Sequence, residues 1–311
     1  MELYATGGNP AEPFGTIGGM VEATAGTIVI SDDVNKALYR WEPGSGRIAR
    51  LARDGRGPGE MQAPVSLARR PDGGFVVYDV GHNALLLFRT DLTHERTARV
   101  QGGMVSNPKS IAILGDGSFV ISGGRLRDPR HLHHYSPTGQ WIESSGEPAA
   151  GITSSMARIQ SAGGALRALP QGFLFSYGAP LRISRFPSNI LARSSVLVED
   201  GQILPEFTEA SLNGSPEPRS GGSPVFLWWH DRTTGVFVLP DGRILNVITR
   251  YHSGDSVWDL YSSDGRRRLA RTIVPRAYYA WDITTDGRIV ASRRDPDTDE
   301  HFATVLELRI R

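Results

Sequence analysis

The sequence predicts an all-β fold: a six-bladed β-propeller of four-stranded antiparallel blades, with the last blade closed by the N-terminal strand. Three observations carry this. First, a glycine turn between two short apolar runs recurs six times, at Gly26 (VEATAGTIVIS), Gly73 (LARRPDGGFVVYD), Gly117 (IAILGDGSFVIS), Gly172 (LRALPQGFLFS), Gly242 (VFVLPDGRILNV) and Gly287 (WDITTDGRIVAS). Copies at intervals of about 45–70 residues indicate a repeat architecture. Second, a different turn follows the first five copies, near Gly46, Asp91, Gly139, Pro187 and Gly265. Third, no stretch sustains helical periodicity, and the apolar runs are short, β-branched and bounded by Gly, Asp, Asn and Pro.

Each blade therefore reads as strand, glycine turn, strand, polar loop, strand, turn, strand. The second copy is the clearest: VSLARR, PDGG, FVVYD, VGHN, ALLLF, RTDLT, HERTARV. The sixth copy ends at ATVLELRI without a fourth strand, and Glu2–Thr6 (ELYAT) is a β-like segment ahead of the first copy. Pairing that segment with the last blade would close the ring and remove an exposed edge. Residues 1–311 are expected to form one propeller, with a long inserted loop at about 200–232 and a shorter irregular region over Ser144–Gly164.

Composition limits the function. Net charge is +1, so bulk attraction to nucleic acid or an anionic membrane is not expected. There is no cysteine, which excludes disulfides, thiolate nucleophiles and thiolate metal sites. No apolar stretch approaches the ~20 residues of a membrane span. The chain begins abruptly at MELYAT with no visible leader. A periplasmic or extracellular protein with its leader trimmed is expected, with a cytoplasmic location left open. A monomer is expected.

Two blades carry a family resemblance. FVVYDVGHNALLLFRTD and IVISDDVNKALYRWEPGSG resemble NHL-type repeats: an apolar strand, Asp, a small loop, Asn, and a strand ending in an aromatic. The linker ARDGRGPGEMQAP resembles the glycine-rich connection of bacterial six-bladed propellers of the NHL/TolB-like kind. The resemblance covers roughly residues 16–145 and fades in the fourth blade, where SYGAPLRIS lacks the Asp and Asn. It implies a six-bladed ring and little about chemistry, because one fold hosts many functions.

The first strand of each blade is expected to line the channel. Eight positions before each turn glycine stand Gly18, Val65, Lys109, Gly164, Thr234 and Tyr279; the next residues are Gly19, Ser66, Ser110, Ala165, Gly235 and Ala280. Neither set contains Asp, Glu or Asn. Lactonases of the gluconolactonase type hold a divalent metal there with such side chains, and hard cations need several oxygen ligands. No metal or other cofactor is therefore expected. Lys109 and Tyr279 depart from the repeat as polar groups.

The loops between second and third strands share that mouth. Asp33, Asn35, Asp79 and Asn83 read as turn residues that bond nearby backbone. Arg125, Arg127, Arg250 and Arg293 form either an electropositive rim for a carboxylate or sulfate, or solvated surface charge. VFLWWHD ends the long loop and places Trp228, Trp229 and His230 together, for stacking on a sugar or for anchoring the loop. Tyr251, His252 and Tyr278 complete the candidate binding set. His131 and His133 of HLHHY do not make a metal site by themselves.

The expected function is a non-catalytic binding propeller that presents this polar, arginine- and aromatic-rich mouth to a glycan, a small anion or a protein. The alternative is a metal-independent glycan-active hydrolase or lyase on the same face, with Tyr279, His230, His252 and Lys109 as candidate catalytic groups. A lyase needs a base and a group that stabilises the developing enolate, which such residues supply without carboxylates.

Overall fold

The computed structural model describes residues 1–5, 14–24, 26–125, 128, 130–147, 162–178, 181–190, 193–199, 232–250, 255–275, 278–295, 297–298 and 300–309. These form 24 strands in six four-stranded antiparallel sheets, with no helix among the described residues.

After β1 (Glu2–Ala5), blade one is β2 (Ile17–Thr24), β3 (Thr27–Asp32), β4 (Ala37–Glu42) and β5 (Arg47–Ala52). Blade two is β6 (Pro64–Arg69), β7 (Phe75–Asp79), β8 (Ala84–Phe88) and β9 (His94–Arg99). Blade three is β10 (Val105–Ile113), β11 (Phe119–Arg125), β12 (Leu132–Tyr135) and β13 (Trp141–Ser145). Blade four is β14 (Gly164–Leu169), β15 (Gly172–Tyr177), β16 (Arg182–Phe186) and β17 (Ser195–Glu199). Blade five is β18 (Arg232–Val238), β19 (Ile244–Thr249), β20 (Ser256–Tyr261) and β21 (Arg268–Val274). Blade six takes β22 (Tyr278–Ile283), β23 (Ile289–Arg294) and β24 (His301–Arg309) from the C-terminal stretch, and β1 as its fourth strand.

The first two strands of each blade meet at the recurring turn. In four copies an Asp two residues into the turn accepts backbone or side-chain N–H groups: Asp72 from Gly74, Asp116 from Ser118, Asp241 from Arg243 and Asp286 from Arg288. The turn glycine has φ of 87° at Gly73, after such an Asp, and 98° at Gly172, after Gln171. This is the left-handed region that L-residues avoid. At Gly172 a Cβ would also lie 2.0 Å from the Phe186 carbonyl oxygen. The six turns are thus fixed by chemistry local to each repeat.

The core is divided among the blade interfaces. Among the described residues, one apolar cluster lies between each neighbouring pair. Val76, Leu87, Ile111 and Ile121 join blades two and three, and Leu174, Ile183, Val236 and Ile248 join blades four and five. Blades six and one close the circle through Ile28, Ile30, Trp41, Val290 and Val305. Strands show buried residues on both faces, as in β7, β8 and β20, because each sheet is packed between two others.

Closure occurs as the sequence predicts. Glu2, Leu3, Tyr4 and Ala5 pair antiparallel with Arg309, Leu308, Glu307 and Leu306. The Arg309 guanidinium lies 4.5 Å from the centre of the Tyr4 ring. Thr6, the last residue of the expected strand, is outside the described residues. Deleting residues 1–5 strips one ladder from β24 and opens a sheet edge. The expected cost is about 2–4 kcal/mol, from a few hydrogen bonds of about 1 kcal/mol each. A urea midpoint that does not move on deletion would show that closure contributes nothing.

Candidate functional site

The six first strands, β2, β6, β10, β14, β18 and β22, stand side by side around a central channel. The ring of small residues expected there is present. Gly19, Ser66, Ser110, Ala165 and Gly235 sit opposite Ser31, Tyr78, Ser122, Ser176 and Val247, and Ala280 sits opposite Ala291. Close approach demands small side chains: a Cβ at Gly18 would lie 2.7 Å from the Pro64 carbonyl oxygen. Hydroxyls stitch blade to blade. Ser122 Oγ donates to the Gly164 carbonyl at 2.7 Å, and Leu166 N–H donates to Ser110 Oγ at 3.1 Å.

At the loop mouth, two aspartates do structural work. Asp79, fully buried, accepts N–H bonds from Gln62 (3.1 Å), Ala63 (2.7 Å) and Gly81 (3.2 Å), and His82 Nδ1 lies 2.6 Å from it. Asp32 does the same for Gly15, Thr16 and Asn35. Each ties the end of its second strand to the connector that enters its own blade. The repeat equivalent of Asp79 is therefore Asp32, not the Asp33 chosen from the sequence. Burial, and then the neighbouring Asp32, raise the Asp33 carboxyl above its ordinary range, against the pull of Lys36.

The candidate arginines that are described make contacts within their own blades. Arg125 leans along its own blade, 5.5 Å from the Trp141 ring. Arg293 lies 5.6 Å from the Phe302 ring of blade six. Arg250 follows β19, and its N–H bonds the Asp255 carbonyl at 2.8 Å. Tyr278 turns into a groove of about 430 Å³ between blades five and six, with Met1, Tyr4 and Pro275. Tyr279 is half-buried at the start of β22, opposite Ser292. Lys109 has its backbone in β10, and its side chain is outside the described set. Arg127, Trp228, Trp229, His230, Tyr251 and His252 lie outside the described residues, as do most of the two irregular regions.

The histidines of HLHHY are buried in blade three. His131 Nδ1 accepts the Gly163 N–H at 2.9 Å. His133 bonds Ser144 Oγ at 2.9 Å and the Gly123 carbonyl at 3.0 Å. Burial pushes both imidazoles down to about 4.

The residues that sequence reading missed lie at the opposite end of the channel. A cavity of about 440 Å³ is walled by all six first strands and reaches the turns at Pro71, Gly115 and Pro170. Leu67, Ile111, Leu166, Leu169, Phe237 and Trp281 supply apolar wall. Arg69, Arg70, Arg167 and Asp282 supply the charge, with Arg70 turned to Asp72 and Glu95. Asp282, 2% exposed, bonds Arg167 Nη1 through one oxygen. Its other oxygen accepts Arg69 Nη2 at 3.0 Å and the Glu22 N–H at 3.1 Å. Glu22, also buried, takes Arg69 Nη2 at 3.2 Å and both Thr285 donors, the N–H at 2.7 Å and Oγ1 at 3.0 Å.

Four blades meet in this network: one through Glu22, two through Arg69, four through Arg167 and six through Asp282. Burial alone would raise the Asp282 carboxyl, but Arg167 and Arg69 outweigh it and hold it below the ordinary carboxylate range. Asp282 thus has the geometry of an anion fixed between two guanidiniums. The sequence signal was present. Glu22 and Arg69 stand four residues before their turn glycines, and Arg167 and Asp282 five, on otherwise apolar strands.

This architecture has solved relatives. A presumed exported protein from Bacteroides fragilis matches over 99% of this chain and 96% of its own, with a TM-score of 0.67 and 12% identity. A streptogramin B lyase matches over 99% and 98%, with a TM-score of 0.55 and 12% identity. A calcium-binding protein, regucalcin, from Agrobacterium tumefaciens matches over 99% and 96%, with a TM-score of 0.55 and 14% identity. At such identities the likeness is one of fold. The sequence matches no protein-family model and no curated protein. The neighbours include enzymes and a calcium-binding protein, so the fold alone does not choose between catalysis and binding. No helix among the described residues is long and apolar enough to cross a membrane.

Proposed function

We propose that this chain is a non-catalytic binding propeller that takes a small ligand in its central channel. The observation that carries this reading is the 440 Å³ cavity, whose size suits a small molecule and whose wall is apolar with a few placed charges. Its acid, Asp282, is committed to two arginines and a backbone N–H. A carboxylate held by two guanidiniums is stabilised as the anion and is a weak base, which favours binding over acid–base chemistry at this site.

The loop mouth at the other end of the channel keeps the second binding role expected from sequence, toward a glycan, a small anion or a protein. In the same proposal the chain is of the NHL/TolB-like kind, supported by the connector-binding Asp32 and Asp79 of the resembling blades. Likeness to a presumed exported protein supports an exported location.

A thermal-shift screen of small metabolites and glycans on the wild type and on Ala168→Phe tests the reading. Ala168 lines the cavity, so phenylalanine there fills it. The expected result is a ligand that stabilises the wild type, fails to stabilise the filled variant and is recovered unchanged. Absence of any cavity-dependent ligand sinks the reading. Turnover of a glycan that is lost in Tyr279→Phe replaces it with the enzyme alternative.

A further inference from the structure

We propose that the channel cavity recognises a molecule with a single carboxylate and an apolar body, the carboxylate seated on Arg167. This deepens the channel-ligand reading and rests on it.

The inference follows from a count of donors and acceptors. Every carboxylate oxygen in the network already accepts at least one hydrogen bond: both of Asp282, Glu22 Oε2 from Arg69 and Thr285, and Glu22 Oε1 from the Gly26 N–H at 3.4 Å. The donors are in surplus. Arg167 spends only Nη1, on Asp282, and among the described residues its Nε and Nη2 have no partner. Arg69 directs Nη2 to Glu22, Asp282 and the Ile283 carbonyl at 3.1 Å, while its Nε is buried without a partner. Arg167, 25% exposed, keeps its unpartnered Nε and Nη2 accessible rather than buried, so an occupant that brings acceptors can pair with them where a donor-rich one cannot.

The shape of the surplus narrows the class. Nε and Nη2 of an arginine form a planar fork that matches the two oxygens of a carboxylate with parallel hydrogen bonds. A neutral carbonyl offers one oxygen and leaves half of the fork unused. Arg69, Arg167, Glu22 and Asp282 sum to zero charge, and Arg70, which also lines the cavity, is paired with Asp72 and Glu95, so a dianion such as a phosphate monoester would find no unpaired net cation to offset it. A monoanion spread over two oxygens suits the site better. The rest of the ligand must be apolar, because Leu67, Ile111, Leu166, Leu169 and Phe237 wall the remaining space. Glycans, with a hydroxyl on nearly every carbon, do not match that wall.

Titration calorimetry with 4-phenylbutyrate, 4-phenylbutanamide and 4-phenylbutylamine tests the class. The acid is expected to bind at least tenfold tighter than the amide, and the amine not measurably. Arg167→Lys keeps a cation for Asp282 but loses the fork. It is expected to weaken the acid tenfold or more and the amide less than twofold. If Arg167→Lys fails to fold, the acid-to-amide ratio on the wild type decides alone. Equal affinity for acid and amide, with both lost in Ala168→Phe, overturns the carboxylate inference and leaves the channel reading standing. Binding of the acid that survives Ala168→Phe overturns it too, since the acid then binds elsewhere. If none of the three probes binds, the carboxylate inference falls, and the channel reading stands or falls on the metabolite screen.

Discussion

Asp282→Ala is expected to destabilise the protein by about 3–5 kcal/mol, the range for removing one partner of a buried ion pair. The side chain is 2% exposed and is the hub between blades. Its loss frees Arg167 of blade four and removes one of the two acids holding Arg69 of blade two. Both guanidiniums are only 25% exposed, so neither is fully re-solvated. The Glu22 N–H also loses its acceptor. Much of the cost is therefore uncompensated charge and an unpaired donor rather than the worth of one contact. Asp282→Asn keeps the shape and one acceptor and should cost less. Urea unfolding of the wild type and both variants at pH 7 reads this order. A midpoint for Asp282→Ala within error of wild type would falsify the claim that the network spans the ring.

Stability is expected to fall steeply as pH drops from about 6.5 toward 4. His131 and His133 are held neutral in the native protein, their imidazoles pushed down to about 4, chiefly by burial. At His131, Arg182 adds to that effect and the Gly163 backbone opposes it. At His133, Asp128 opposes it while Arg125 and Arg130 add to it. In the unfolded chain both titrate near 6.5. Below that value the unfolded state binds protons that the native state refuses. The stabilising contribution is complete above pH 6.5 and is lost as pH falls through the native value. Each histidine adds about 1.4 kcal/mol per pH unit within that window.

The carboxylates held low act in a separate range. Burial alone would raise the Asp128 carboxyl, but bonds from Arg130 and Ser144 outweigh it and bring it to about 2; Asp282 is likewise lowered. Their contribution is present above 3.8 and lost below it. Urea midpoints at pH 7, 6 and 5 isolate the histidines. His133→Asn is expected to flatten the slope by about one proton's worth, roughly 1.4 kcal/mol per unit. An unchanged slope would show that His133 is charged when folded.

The fold was legible because its determinants are local. A positive-φ glycine, an Asp in the turn and two short apolar runs specify a hairpin wherever they occur, and six copies specify a ring. The unfinished sixth copy likewise pointed to closure by the N-terminal segment, since an unpaired edge had one available partner. The connector role of Asp79 was half legible. Its place in a turn showed in sequence, while its bonds to Gln62 and Ala63, seventeen and sixteen residues upstream, did not.

The channel network shows the other limit. Glu22, Arg69, Arg167 and Asp282 are spread over 261 positions, and each by itself reads as a charge near a turn. The glycine spacing located the small residues of the ring but drew attention to the loop mouth, eight residues from each turn. The cavity with the unpaired arginine donors lies at the turn end.

The sequence by itself determined the number of blades, the turns and the strand that closes the ring, because backbone conformation at a glycine and a short apolar run are properties of a few neighbouring positions. Only the tertiary structure decided which charges meet. Ion pairing between Asp282 of the last blade and Arg69 and Arg167 of the second and fourth depends on through-space distance across the channel, and that distance exists only once the ring has closed.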